Sequence, residues 1–239
     1  MNQEYMGATG YRKSISLKEK QGYRERLGVQ RANILRKQVY AFVKRVSDIA
    51  ISLCGMLFLF PVFLVLAALV YISDPGPVFF GHERLGKNGK KIKIWKFRSM
   101  RVNAEEIFAE FTEEQKAEFY REFKLERDPR ITTVGGFLRK SSLDELPQLF
   151  NIMKGDLSLV GPRPVVKEEL EKYGDEKEEF LSVKPGLTGY WQANGRNLIN
   201  YENGRKEMEL YYVRHQSILL DVKILFRTVG AVLKGKGAQ

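Results

Sequence analysis

A run of 24 residues without a charge, Ile49 to Ile72 (IAISLCGMLFLFPVFLVLAALVYI), restricts this chain more than any other feature. About 20 apolar residues cover the hydrocarbon core of a bilayer as a helix, so the segment is expected in lipid rather than in a soluble core. It lies too far from Met1 and is too long to be a cleavable signal, and no clear small-residue cleavage site follows it. Both flanks are basic: Lys44 and Arg45 precede the run, and Arg84, Lys87, Lys90, Lys91, Lys93, Lys96, Arg98 and Arg101 follow it. The preference of cytosolic flanks for Lys and Arg therefore gives a simple span no direction, whereas a segment that enters and leaves on the cytosolic side satisfies both ends. Pro61, near the middle, removes a helix hydrogen bond and favours a kink. Charge and proline alone leave two arrangements open: a re-entrant helical hairpin over residues 41–74, and an ordinary span with a tolerated proline.

The formal charge of +11 is concentrated at the N-terminus, where residues 1–48 hold eleven Lys/Arg against four acids. Residues 1–40 read as a basic arm suited to nucleic acid or to an anionic leaflet. The apolar run that follows favours the leaflet, so no nucleic-acid partner is expected. Cys54 is the only cysteine, which excludes an intramolecular disulfide and a thiolate metal cluster and fits a reducing cytosol. Two histidines, His82 and His215, are too few for a histidine-rich metal site.

Beyond the apolar run, Asp74-Pro75-Gly76-Pro77 reads as a turn, and VFFGHERLG with KNGKKIKIWKFRSM as a β-hairpin beside the membrane. Residues 103–127 place Ile107, Phe108, Phe111, Phe119, Tyr120 and Phe123 at helical intervals among many charges, as expected of an amphipathic helix packed on the domain or lying in the interface. Helical stretches are expected over 137–154, 164–182 and about 201–234. The fold class is α+β: mainly helical with a small β-hairpin, anchored by a proline-broken re-entrant membrane helical hairpin and amphipathic interfacial helices, with residues 75–239 as the domain on the cytosolic side.

The block LRKSSLDELPQLFNIMKGDLSLVGPRP, residues 138–164, gathers paired acids, serines, cations and rigid prolines. Ser142 with Glu145 three residues on fits a capping box, and Asp144 could cap a helix with Pro147 in its first turn, so a structural role accounts for both acids. The same place suits a nucleophilic carboxylate. A helix N-terminus favours an ionised acid and binds phosphate, Arg139 and Lys140 add positive charge, and an aspartate can attack phosphorus to form an acyl phosphate.

Several separated motifs agree in order: the proline-broken apolar run, Lys96-Phe97-Arg98-Ser99-Met100, Ser142-Leu143-Asp144-Glu145-Leu146-Pro147, Gly161-Pro162-Arg163-Pro164, Pro185-Gly186-Leu187-Thr188-Gly189, Asn194-Gly195-Arg196-Asn197 and Leu220-Asp221-Val222-Lys223. Together they resemble the bacterial sugar transferase family, the monotopic polyprenyl-phosphate phosphoglycosyl transferases, from about Tyr40 to the C-terminus, in a minimal catalytic form. The resemblance implies a ping-pong reaction. The aspartate matching Asp144 attacks the sugar-bearing phosphate of a UDP-sugar, UMP leaves, and polyprenyl phosphate takes the sugar-phosphoryl group. It further implies that Glu145 helps hold Mg²⁺, that Lys96 and Arg139 are basic active-site positions with Arg139 on a phosphate, that Arg163 lies on the nucleotide side, and that Arg196 and Asp221 are further polar positions near the site. The family setting implies the bacterial inner membrane, with the domain facing the cytosol, at the start of exopolysaccharide, capsule or O-antigen assembly beside downstream glycosyltransferases. Trp191-Gln192-Ala193 and the C-terminal VGAVLKGKGAQ resemble members that transfer galactose or glucose; an N-acetylated donor and a membrane-tethered basic scaffold are the alternatives. Two positions depart from the pattern: Phe60 stands where a serine often precedes the proline, and Glu209 stands where an aspartate is usual and is kept out of the site.

Overall fold

The computed structural model describes residues 17–122, 125, 127–195, 199–201 and 203–233. Two compact units divide the chain, Met1–Val43 and Lys44–Gln239. The first holds the beginning of helix α1 (Leu17–Ser73), on which Ile34, Leu35, Val39 and Phe42 are exposed. The start of the basic arm, residues 1–16, lies outside the described residues.

In the second unit α1 continues as helix through Pro61, so the break expected at the proline and the helical hairpin expected over 41–74 are not seen. Its apolar run is not uniform. Asp48, Ser52, Leu66 and Val70 are buried, and Gly55, Met56, Leu59, Phe63 and Ala67 are partly covered, a series recurring every three or four residues that defines one helix face. This face packs on the rest of the second unit along its length. Asp48 accepts from Ser158 Oγ (3.1 Å) and Leu159 N–H (2.9 Å), Met56 packs on the core around Leu149 and Ile152, and Leu66 and Val70 pack with Phe97 and Leu138. At 1.5 Å per residue, the contact runs about 33 Å from Asp48 to Val70. The opposite face, with Leu57, Phe58, Leu64, Val65 and Leu69, is exposed.

The expected hairpin forms from β1 (Phe79–Leu85) and β2 (Lys91–Phe97), antiparallel, with Phe79 opposite Phe97 and Leu85 opposite Lys91. Its alternation buries Ile92 and Ile94 and leaves Lys91, Lys93 and half-covered Trp95 on the other face; Phe97, on that second face at the strand's end, is buried instead against Leu66, Val70 and Leu138. The expected single helix over 103–127 is two, α2 (Ala104–Ala109) and α3 (Glu113–Glu122). A capping box restarts the chain between them: Gln115 N–H donates to Thr112 Oγ1 (3.3 Å) and Thr112 N–H to Gln115 Oε1 (3.0 Å). Phe108, Phe111 and Phe119 gather around the Arg130 guanidinium, about 5 Å from each ring centre.

The stretch expected as one helix over 137–154 is also divided, into α4 (Thr133–Ser141), a 3₁₀ turn (Leu143–Glu145) and α5 (Gln148–Lys154). Ser142, at φ 58°, ends α4 in the left-handed conformation and makes no side-chain cap to the turn that follows, so the capping box expected from Ser142 and Glu145 does not form. Helix α6 (Lys167–Leu170), a 3₁₀ turn over Glu171–Glu176 and α7 (Lys177–Leu181) replace the second expected helix; Gly174, at φ 56°, interrupts it. Then come α8 (Tyr190–Asn194), α9 (Arg205–Arg214) and α10 (Ile218–Leu233). A short parallel pair not expected from sequence, β3 (Ser158–Val160) and β4 (Gly186–Thr188), ties the Gly161-Pro162-Arg163-Pro164 loop to the Pro185-Gly186 segment. The backbones approach so closely that a Cβ on Gly186 would lie 2.1 Å from Gly161 N. Only glycine fits there.

Candidate active site

Three local structures converge. The hairpin ends by presenting Lys96, the 3₁₀ turn after Ser142 presents Asp144 and Glu145, and the loop after β3 presents Arg163. Ser142's left-handed conformation reverses the chain so that both adjacent acids face the hairpin. Lys96 Nζ lies 2.6 Å from Glu145 Oε1 and 3.5 Å from Asp144 Oδ2, and Arg163 Nη1 lies 4.0 Å from the same Glu145 oxygen. One ammonium thus serves two carboxylates.

Arg139 arrives from α4, whose start is capped by Thr132 Oγ1 accepting from Gly135 N–H (2.9 Å). A Cβ on Gly135 would meet the Ser99 carbonyl oxygen at 1.9 Å, so glycine lets α4 rest directly on the backbone that follows β2. Arg139 Nε then donates to Ser99 Oγ (2.9 Å). Burial lowers the pKa of the Arg139 guanidinium, while Asp144 and Asp128 counteract that effect.

Asp144 is 6 % exposed. Burial pushes its carboxyl above the ordinary aspartate value; Lys96 and Arg139 pull it down, and neighbouring Glu145 pushes it up again. The result is a desolvated carboxylate with incomplete charge compensation, a state that favours attack on an electrophile brought in with further positive charge.

Of the residues expected at the site, Lys96, Asp144, Glu145 and Arg163 are brought together by direct contact, and Arg139 by its charge on Asp144. Asp221 bonds elsewhere: its carboxylate accepts from Lys44 Nζ (2.7 Å) and Tyr212 Oη (2.7 Å), linking α1, α9 and α10. Arg196 lies outside the described residues.

Sequence reasoning passed over the groups behind Arg163. Glu209 is 1 % exposed and accepts from Arg163 N–H (3.1 Å) and from Tyr173 Oη. Glu169, 4 % exposed, receives Arg205 (2.9 Å), Tyr201 Oη (2.7 Å) and Arg84 (3.3 Å). Burial would raise the Glu169 carboxyl, but Arg205, Arg163, Tyr201 and Arg84 together hold it below the ordinary glutamate value. The family position of Glu209 was the available signal; for Glu169, an acid in an apparently wet helix, there was none.

Residues 39–235 match the bacterial sugar transferase family, and the chain belongs to it. It is 45% identical over 209 residues to the undecaprenyl-phosphate galactose phosphotransferase of Salmonella typhimurium, an alignment covering 86% of this chain and 44% of that protein. It is 45% identical over 199 residues to the exopolysaccharide production protein ExoY of Sinorhizobium fredii, covering 82% and 87%. It is 39% identical over 199 residues to the UDP-glucose:undecaprenyl-phosphate glucose-1-phosphate transferase of Escherichia coli, covering 80% and 40%. The chain therefore spans less than half the length of the first and third of these relatives and most of the length of the second.

Proposed function

We propose that this chain transfers a hexose-1-phosphate, from UDP-galactose or UDP-glucose, to polyprenyl phosphate and releases UMP. The observation that carries the reading is the arrangement of Asp144 and Glu145 against Lys96 in a chain of this family. An Asp144 carboxylate oxygen attacks the sugar-bearing phosphorus, the bond from that phosphorus to the bridging oxygen breaks, and UMP leaves with the electron pair. An oxygen of polyprenyl phosphate then attacks the same phosphorus, the bond to Asp144 breaks, and the carboxylate is restored. Lys96 and Arg139 offset the repulsion between the carboxylate and the incoming phosphates. Two of the relatives' names, a galactose and a glucose phosphotransferase, support a hexose donor.

The residues fit a bound Mg²⁺. Two adjacent carboxylates already hold a cation, the Lys96 ammonium, and hard oxygen ligands of this kind complete a magnesium site with substrate phosphates. Glu145 would hold the ion, with Asp144 beside it, and the ion would supply charge neutralisation to the diphosphate.

The membrane segment is read as entering the cytosolic leaflet without crossing the bilayer. Asp48 near one end of the apolar run and Leu66 and Val70 near the other pack on the same unit, so the helix lies against that unit for most of its length. A helix crossing the bilayer would carry one of those contacts to the far side. The exposed face of Leu57, Phe58, Leu64 and Leu69 then enters the inner leaflet from the cytosolic side, and the site sits at headgroup level, where a polyprenyl phosphate presents its charge. ExoY's name supports a role in exopolysaccharide synthesis, with the product passing to downstream glycosyltransferases.

The test is UMP release by detergent-purified native chain and Asp144→Asn, with Mg²⁺, polyprenyl phosphate and a panel of UDP-sugars. Release with UDP-galactose or UDP-glucose, absent in Asp144→Asn, and a hexose-phosphate adduct on Asp144 in the native chain are expected. Native-like release by the variant rules out the nucleophile, preference for an N-acetylated donor rules out the hexose, and silence of a folded native chain with every donor favours a membrane-tethered binding scaffold.

A further inference from the structure

On one face of the hairpin, the cross-strand register places Lys96, His82 and Arg84 in a row: Lys96 is opposite Phe80, Ile94 opposite His82, and Ile92 opposite Arg84. Together with Glu145, Arg163 and Gln192 they line a cleft that begins at Glu145, the neighbour of Asp144. The hairpin is joined to the Pro162-Arg163-Pro164 turn by Leu85 N–H donating to the Val165 carbonyl (2.8 Å), which brings Arg84 beside Arg163. We propose that Arg84, acting with Arg163, binds the phosphate of the departing nucleotide, so that the donor diphosphate lies along this face from Lys96 toward Arg84. The proposal rests on the transferase reading above.

Arg84 is held for such a task. Its Nη1 lies 3.3 Å from Glu169 Oε2, and its Nη2 lies 3.4 Å from His82 Nδ1. Burial and then the Arg163 charge lower its guanidinium to about 10, so two guanidinium groups oppose each other at the end of an open cleft. Glu169 is shared with Arg205 and cannot neutralise them all. His82 is lowered to about 4 by burial, Arg84 and Lys96, so it is neutral at pH 7 and adds no charge of its own. On the same cleft, Gln192 Oε1 is buried without a hydrogen-bond partner among the described residues, an acceptor that a donor group of the nucleotide would satisfy.

The chemistry calls for positive charge here. When the bond from the sugar-bearing phosphorus to the bridging oxygen breaks, that oxygen takes the electron pair and the nucleotide phosphate gains a negative charge, with no proton required. A preorganised guanidinium at that end stabilises the developing charge more than it stabilises the intact diphosphate. Arginine's planar fork suits a phosphate.

Equilibrium binding of UMP and of uridine, by ligand-observed NMR on the full chain in detergent, tests this. In Arg84→Gln the affinity for UMP should fall about 10- to 100-fold, as for loss of a charge-assisted contact, while uridine binding stays unchanged. An unchanged UMP-to-uridine ratio in a folded variant would overturn the Arg84 assignment and leave the transferase reading intact. If native chain binds neither ligand and transfers no sugar-phosphate, the reading itself fails and the assignment with it. Should Arg84→Gln not fold, Arg84→Met, which keeps the apolar stem, is measured for the same ratio with the same decisive outcomes.

Discussion

Asp144 and Glu169 are acids of nearly equal burial, 6 % and 4 % exposed, yet their surroundings push them in opposite directions. Burial raises the Asp144 carboxyl; its direct cation, Lys96 at 3.5 Å, also serves Glu145 at 2.6 Å, and Glu145 adds repulsion. Glu169 receives two guanidinium groups and a phenol, so its carboxyl falls below the ordinary value despite burial. Burial costs an ion several kcal/mol unless partners restore its solvation, and the number of partners therefore separates a carboxylate held ionised by the fold, Glu169, from one left under-compensated, Asp144.

The largest test of that contrast is Asp144→Asn, which should lower UMP release at least about a thousandfold while Glu169→Gln does not act through the nucleophile at all. Glu169→Gln should instead lower the unfolding free energy by about 3 kcal/mol, because Arg205 and Arg84 are left buried with a neutral partner; urea unfolding measures it, and a loss below about 1 kcal/mol would mean that Glu169 is not the anchor described. Next, Lys96→Met should lower turnover about a hundredfold and shift its pH dependence. As the proposed nucleophile, Asp144 must be ionised to attack, so activity is expected to fall as pH drops through its pKa. Removing Lys96, which lowers that pKa, moves the acid limb to higher pH, and an unmoved limb would assign it to another group.

Asp221→Asn should cost about 1–2 kcal/mol of stability through Lys44 and Tyr212, with turnover below the melting temperature close to native; a selective loss of turnover would return Asp221 to the site. The smallest effect concerns stability against pH. The folded state binds a proton on Asp144 more tightly than the unfolded chain, so ionised Asp144 opposes folding at neutral pH, and Asp144→Asn should fall within about 1 kcal/mol of native on the stabilising side. Glu169 has the reverse sign: its contribution is present above the unfolded value of 4.5 and is lost as pH falls through its lower folded pKa. Thermal melts of both variants between pH 3 and 7 should therefore diverge in opposite directions from the native curve.

Where a single local rule governed the outcome, the sequence was legible. The turn and strand signals of VFFGHERLG and KNGKKIKIWKFRSM predicted the β1–β2 hairpin, and the uncharged run predicted a long apolar helix. Helix boundaries were less legible because competing local signals sit side by side. Thr112 and Gln115 form a capping box inside what reads as one amphipathic helix, whereas Ser142 and Glu145 match the same pattern and do not form one. At Ser142 the left-handed backbone that ends α4 takes the place of the extended conformation an N-cap residue adopts. The parallel pair of β3 and β4 was invisible because strands of three residues carry no periodicity, and their pairing depends on glycines at 161 and 186 that permit backbone contact.

Sequence by itself determined the family, the apolar segment and the pairing of Asp144 with Glu145 beside nearby cations, since each is a matter of order along the chain. Only the tertiary structure decided which cations reach which acids: Lys96 and Arg163 at Glu145, Arg84 and Arg205 at Glu169, Lys44 at Asp221. It also showed that one face of the apolar helix belongs to the folded unit. Ionic and packing partners are set by distances of a few ångström across elements far apart in sequence, and the charge of a residue says nothing about which opposite charge will be within that reach.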